Sequence, residues 1–177
     1  MARVDCTHFN GYKPCGRNSI CDETCSHYQE RGSRILLIHL GALGAVVRST
    51  ALLMLIHEKY PDAEITWVTE NPAQNLLKNH PRIKRVLTTR IEDLLCLEVL
   101  EFDHALCLDK SITAGAILNK AKVKGEKLGF YANSNGVILP LNTEANELWG
   151  LGLNDQKKFF ENKKTEISLL QKALKLP

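Results

Sequence analysis

The stretch RILLIHLGALGAVVRSTALLMLIHEKYPDAEITWVT, Arg34–Thr69, decides the fold. It opens with RILLIHL (Arg34–Leu40), an apolar run interrupted only by His39 after its first arginine. A continuous run of this kind, without polar alternation, marks a strand buried on both faces, as parallel strands covered by helices are. Gly41-Ala42-Leu43-Gly44 supplies a tight turn. Val47, Ala51, Met54 and Leu55 then recur at helical spacing through Ala45–Lys59, and Pro61 stops the helix. EITWVT (Glu64–Thr69) is a second strand. Strand, helix and strand in so short a span predict a parallel pair joined by a right-handed crossover.

The same alternation runs on. A short helix is expected near Pro72–Lys78, a strand in IKRVLTT (Ile83–Thr89) and a helix over Ile91–Leu100. HALCLD (His104–Asp109) is a fourth strand, Ile112–Lys120 a helix and EKLGF (Glu126–Phe130) a fifth strand. Residues 34–140 therefore predict an α/β domain, a Rossmann-like parallel-sheet layer sandwich. Asn142–Lys164 is polar, with Trp149, Phe159 and Phe160 as anchors, and Thr165–Leu174 has the pattern of an amphipathic helix. Residues 141–177 read as a linker or docking arm and terminal helix leading toward a further segment.

Ligands of open parallel sheets bind outside the carboxyl ends of the strands. That rule singles out Gly41, Ala42, Gly44 and Ala45 after the first strand, and Glu70 and Asn71 after the second. It adds Asp109, Lys110 and Ser111 after the fourth strand and Tyr131–Ser134 after the fifth. The Gly41–Gly44 turn leads into a helix N-terminus, where free backbone N–H groups attract anions. It is G-x-x-G and lacks the third glycine of a dinucleotide fingerprint, so a plain tight turn is an equal reading.

Ahead of this domain, residues 1–30 form a cysteine-rich leader. Four of the six cysteines, Cys6, Cys15, Cys21 and Cys25, stand at spacing C-x8-C-x5-C-x3-C. Phe9, Tyr12 and Ile20 are its only bulky apolar side chains between the first and last of these cysteines, too few for a core. Four thiolates around one metal ion would supply the cross-link that burial cannot. Zinc is the first expectation, with an iron–sulfur cluster and no metal at all as alternatives, and His8 or His27 can replace one sulfur. Cys96 and Cys107 lie in apolar runs and read as inert core thiols.

Composition narrows the function. The 177 residues carry a net charge of +3 and 44% hydrophobic residues, so one domain with a sizeable core plus an appendage is expected. The one basic run, Lys120–Lys127, has no interleaved aromatics for base stacking, and nucleic acid is not an expected partner. Met1–Asp5 lacks the apolar run of a signal peptide, and Ile35–Val47 is too short to span a membrane. The leader thiols are therefore read as ligands of a protein in the cytoplasm rather than as disulfides.

Arg34–Thr69 resembles the opening of glycosyltransferase family 9, the bacterial heptosyltransferase-like enzymes, which runs roughly ILxIRLxxLGDVxxTxPxLxxLxxxYPxAxIxWL. FDHALCLDKS and EKLGFY resemble two later segments of the family, and a subgroup carries a similar cysteine-rich leader ending like Cys25-Ser26-His27-Tyr28. The resemblance implies the acceptor-side, N-terminal half of a GT-B architecture of two facing Rossmann-like domains. It implies inverting transfer of a heptose-like sugar from a nucleotide-sugar to a lipopolysaccharide-type glycan, free or lipid-linked. The nucleotide-sugar would be held by a C-terminal donor domain, and the chain alone would be inactive. The protein would lie in the cytoplasm or at the inner face of the cell membrane. The family's general-base aspartate follows the glycine at Gly44, where this chain has Ala45. Glu70 and Asp109 are the acids left to replace it, and Arg48, Ser49 and Thr50 match the first helical turn as phosphate contacts, beside Lys110. His39 stands where many members have arginine and reads as a buried histidine. The missing carboxylate sustains a rival expectation, a metal-clipped binding module without catalysis that recognises a glycan or protein.

Overall fold

The computed structural model describes residues 1–177, which form two compact units, Met1–Gly32 and Ser33–Pro177. In chain order the strands of the second unit are β1 (Arg34–Ile38), β2 (Glu64–Val68), β3 (Arg85–Leu87), β4 (Glu101–Phe102), β5 (His104–Cys107), β6 (Lys122–Val123), β7 (Lys127–Ala132) and β8 (Ile138–Pro140). The helices are α1 (Leu43–Ser49), α2 (Leu52–Lys59), α3 (Ala73–Leu77), α4 (Ile91–Val99), α5 (Ile112–Lys120), α6 (Asn146–Leu151) and α7 (Glu166–Ala173). Six strands make one sheet in the order β3-β2-β1-β5-β7-β8, parallel except for β8, and β4 pairs with β6 beside it. This is the expected α/β layer sandwich with a mostly parallel sheet.

The apolar run of β1 is explained by its place at the centre of that sheet. Ile35 and Leu37 point into one core, with Leu52, Leu53 and Ile56 of α2, Leu77 of α3 and Leu170 of α7. Leu36 and Ile38 point into the other, with Leu97 of α4 and Ala114, Ile117 and Leu118 of α5. Both faces are buried, so alternation has no reason to appear.

Residues 141–177 fold within this unit. A 3-10 turn at Thr143–Ala145, α6 and α7 pack together and onto β7 and β8, and Leu170, Leu174 and Leu176 enter the β1 core. Leu170→Ala should therefore cost about 2–5 kcal/mol, the usual range for emptying a buried leucine site, read from denaturant midpoints at an unchanged slope.

An ion cluster ties the same stretch. Glu147 accepts from Lys164 at 2.5 Å and from Lys172 at 2.7 Å, which holds its carboxyl down to about 2. The folded value is depressed, so the stabilisation is complete above the ordinary value near 4.5 and is lost as pH falls from there toward 2. Glu147→Gln should flatten the acid-side decline of the melting temperature across that window. The effect is modest, because the side chains are solvent-facing.

The helical segments depart locally from the expected spans. The helix expected over Ala45–Lys59 is broken into α1 and α2 at Thr50–Ala51. There Ser49 Oγ donates to Ala45 O at 2.9 Å and Thr50 Oγ1 to Val47 O at 2.8 Å, back-bonding that bends a helix. The Lys157–Glu161 segment winds as a π-helical turn within a stretch where no helix was expected.

The Met1–Gly32 unit contains no strand or helix, only the isolated bridge Cys6–Glu30. Thr7 N–H donates to Gln29 O at 2.8 Å and Arg31 N–H to Asp5 O at 3.0 Å, so the two ends of the leader are zipped together. Tyr28 Oη donates to Asp5 at 2.7 Å while the Arg3 guanidinium lies 3.5 Å from the centre of the Tyr28 ring.

Candidate active site

The strand order changes direction at β1, with β2 on one side and β5 on the other, so the crevice of the sheet opens beyond the carboxyl ends of β1 and β5. Asp109, two residues past β5, bridges that point. Its Oδ2 accepts the Leu40 N–H at 2.9 Å and the Gly41 N–H at 3.4 Å, tying the strand-five end to the turn after β1. Glu70 N–H donates to Leu40 O at 3.1 Å, which brings the end of β2 to the same turn. Gly41, Ala42, Leu43 and Gly44 are exposed above these anchors, and Ala45 is half-buried.

The sequence-derived residues separate into two groups. Glu70 is exposed, with one long contact from Thr89 Oγ1 at 3.4 Å, and its carboxylate is free to meet a ligand. Arg48 is exposed and paired with Glu166 at the start of α7, at 2.7 Å. Lys110 Nζ reaches Leu148 O at 3.3 Å and lies 5.2 Å from the Phe130 ring centre. Burial, with Lys158 nearby, pushes the Lys110 ammonium below its ordinary range.

Ser49, by contrast, is 1% exposed. Its hydroxyl points inward to Ala45 O and to His39 Nδ1 at 2.9 Å, so the expected phosphate contact is corrected to a structural one. Thr50 spends its hydroxyl on Val47 O. His39 is buried as expected, and burial lowers its pKa. Ser49 Oγ also donates to Ala45 O, and the direction of its bond with His39 Nδ1 follows the imidazole tautomer.

Neither pairing was visible beforehand. Arg48 and Glu166 are 118 residues apart, and nothing in the spacing joins them. The Asp109 bridge follows from strand-end placement, but only the strand order shows which two ends it joins.

No family model matches the chain. Over 67 residues it is 31% identical to lipopolysaccharide heptosyltransferase 1 of Campylobacter coli, a match spanning 38% of this chain and 20% of that protein. In fold it is similar to the E. coli heptosyltransferase WaaC with ADP, at a TM-score of 0.53 and 15% identity over 80% of this chain and 46% of that one. Against the same enzyme with ADP-2-deoxy-2-fluoro heptose the values are 0.52, 14%, 81% and 49%. The chain is similar to the heptosyltransferases of glycosyltransferase family 9. It spans about half the length of the solved heptosyltransferases and a fifth of the curated one.

Ala45 is half-buried in the first turn of α1, a turn that holds no acid. No helix is long and apolar enough to cross a membrane.

The leader gathers its own set of side chains. Cys6, Cys15, Cys21, Cys25, His8 and His27 line one small cavity of about 20 Å³. All six cysteines of the chain are free thiols. Backbone N–H groups, that of Gln29 foremost, donate to the Cys6 sulfur and hold its thiol below the ordinary range. As the side chains stand, no three Cys, His, Asp or Glu groups converge to hold an ion. Burial pushes the Cys107 thiol up to about 12, the inert behaviour expected of it, whereas Cys96 is exposed rather than in the core. The helix-periodic reading of LLCLEVL places Leu97 inward and Cys96 one position round, toward solvent.

Proposed function

We propose that this chain is the acceptor-side half of an inverting heptosyltransferase-like enzyme, acting with a second, donor-binding half. The reaction would move heptose from a nucleotide-heptose to a lipopolysaccharide-type glycan. The observation that carries this reading is the 31% identity to a lipopolysaccharide heptosyltransferase, together with an exposed turn at the switch point of the matching fold. In such a reaction a base takes the proton of the acceptor hydroxyl as its oxygen attacks the anomeric carbon, and the nucleotide departs with the bonding pair.

Glu70 is the better base of the two acids in place. Asp109 has an oxygen committed to the Leu40 and Gly41 N–H groups, and drawing it away would loosen the turn. Lys110 supplies positive charge beside the turn for an anionic glycan, and Arg48 joins it by exchanging its Glu166 partner for the glycan's anion. Ala45 in place of the aspartate favours one rival, a binding module that keeps the acceptor surface without catalysis.

Titration calorimetry separates the two halves of the proposal. The chain should bind a lipopolysaccharide-core oligosaccharide and should show no saturable ADP or ADP-heptose binding tighter than about 1 mM, an affinity near −4 kcal/mol. Micromolar affinity for ADP would place the donor site in this half and overturn the assignment. Acceptor binding with no transfer, even when a donor-binding half is present, would establish the binding module.

A further inference from the structure

The leader contains a short internal repeat. Cys6-Thr7-His8-Phe9 and Cys25-Ser26-His27-Tyr28 share the order cysteine, hydroxyl residue, histidine, aromatic. Each closes with the same backbone bond, Phe9 N–H to Cys6 O at 3.0 Å and Tyr28 N–H to Cys25 O at 3.2 Å. The Thr7–Gln29 and Arg31–Asp5 bonds hold the two turns side by side, and both face the cavity that Cys15 and Cys21 also line.

Nothing apolar holds this unit together. Cys6 is its one buried residue, while Val4, Tyr12 and Ile20 are 70%, 88% and 60% exposed. Chains below about 40 residues need a disulfide, a metal or a partner to fold alone, and here every thiol is free. The cavity has room for one particle the size of a water molecule.

We propose that Met1–Gly32 folds around a single metal ion of the zinc class, held by the thiolates of Cys6, Cys15, Cys21 and Cys25. The site lies in a different unit from the candidate active site and does not rest on the sugar-transfer reading. Cys6 and Cys25 are fixed by the paired turns. Cys15 is exposed and Cys21 half-buried, on a loop whose Gly11 and Gly16 take positive φ. On binding, the ion draws those two thiols onto the pair held at the turns. Binding releases one proton per thiol: a divalent ion and four thiols give a dianionic tetrathiolate centre and four protons. Arg3 on the cavity wall and Arg31 near Cys6 offset that charge. Four sulfurs in one cavity complete a tetrahedral zinc shell by themselves, which leaves His8 and His27 on the wall outside it.

The test uses the whole chain, reduced and free of air, titrated with cobalt(II) and then zinc(II). A thiolate-to-cobalt charge-transfer band should saturate at one ion per chain and vanish when zinc is added. Four thiols should become shielded from a thiol reagent, with Cys96 still reactive. Cys15→Ser and Cys25→Ser should each abolish that saturation, and Cys96→Ser should leave it intact. A chain that gives no cobalt band and keeps its leader thiols reactive would overturn the proposal. So would disulfides among the four cysteines in the protein as isolated, or iron with labile sulfide in place of one ion.

Discussion

Gly129→Ala is expected to destabilise the domain by roughly 4 kcal/mol, a large part of the ~5–15 kcal/mol that holds a domain of this size. Gly129 sits in β7 opposite Cys107 of β5 with φ of +100°, a backbone setting that side chains resist. A Cβ there would lie 1.9 Å from the Cys107 carbonyl oxygen, so the strand itself must move. Moving it strains three links: the β5–β7 pairing, the Gly129 N–H bond to Asn142 Oδ1 at 3.0 Å, and the Leu141 N–H bond to Gly129 O at 2.8 Å. The control is Gly150→Ala in α6, where a Cβ meets nothing within 4 Å. That change should be neutral or stabilising by up to about 1 kcal/mol. Equal midpoints for Gly129→Ala and the parent chain in urea would show that β7 does not hold this register.

Ala45→Asp should raise the rate of sugar transfer by about 10²–10⁴, the usual worth of a positioned general base. The assay needs a polypeptide that also carries the donor-binding half. The replacement is compatible with the fold, because the first turn of α1 holds no acid and a carboxylate there is favoured by the helix dipole. Arg48, one turn on, would offer it a partner in place of Glu166. Glu70→Gln in the parent sequence provides the opposite test. Full loss on Glu70→Gln with no gain from Ala45→Asp would mean that Glu70 has taken over the base. Unchanged rates in both variants would remove both residues from the chemistry.

The layer sandwich was legible because β1 is apolar without alternation from Ile35 to Ile38, which two-sided burial explains, and a helical span and a second strand follow it. The strand–helix alternation gave the α5 span, Ile112–Lys120, to the residue. What escaped notice were features set by distance or by one hydrogen bond. The two-residue strands β4 and β6 and the antiparallel β8 are too short to leave a pattern. The break between α1 and α2 comes from Ser49 and Thr50 turning onto backbone carbonyls, which residue type alone does not announce. At the turn after β1, strand-end placement brought Glu70 and Asp109 to the carboxyl edge of the sheet, where both stand. It had no means of telling that Asp109 spends its oxygen on the β1 turn while Glu70 stays open to solvent. Ser49 was misplaced because helical position was read without the inward partner, His39, on the neighbouring strand.

The two margins of the main sheet have a consequence for how these molecules behave in a crowd. β3 and β8 are each three residues long, β8 ends in Pro140, and β3 starts with the exposed Arg85 after Lys84. Short margins bearing charge or proline offer a neighbouring chain few unpaired amides to zip onto. Stacking of copies into continuous ribbons is thereby discouraged, and the hydrophobic centre strands stay sealed even at high concentration.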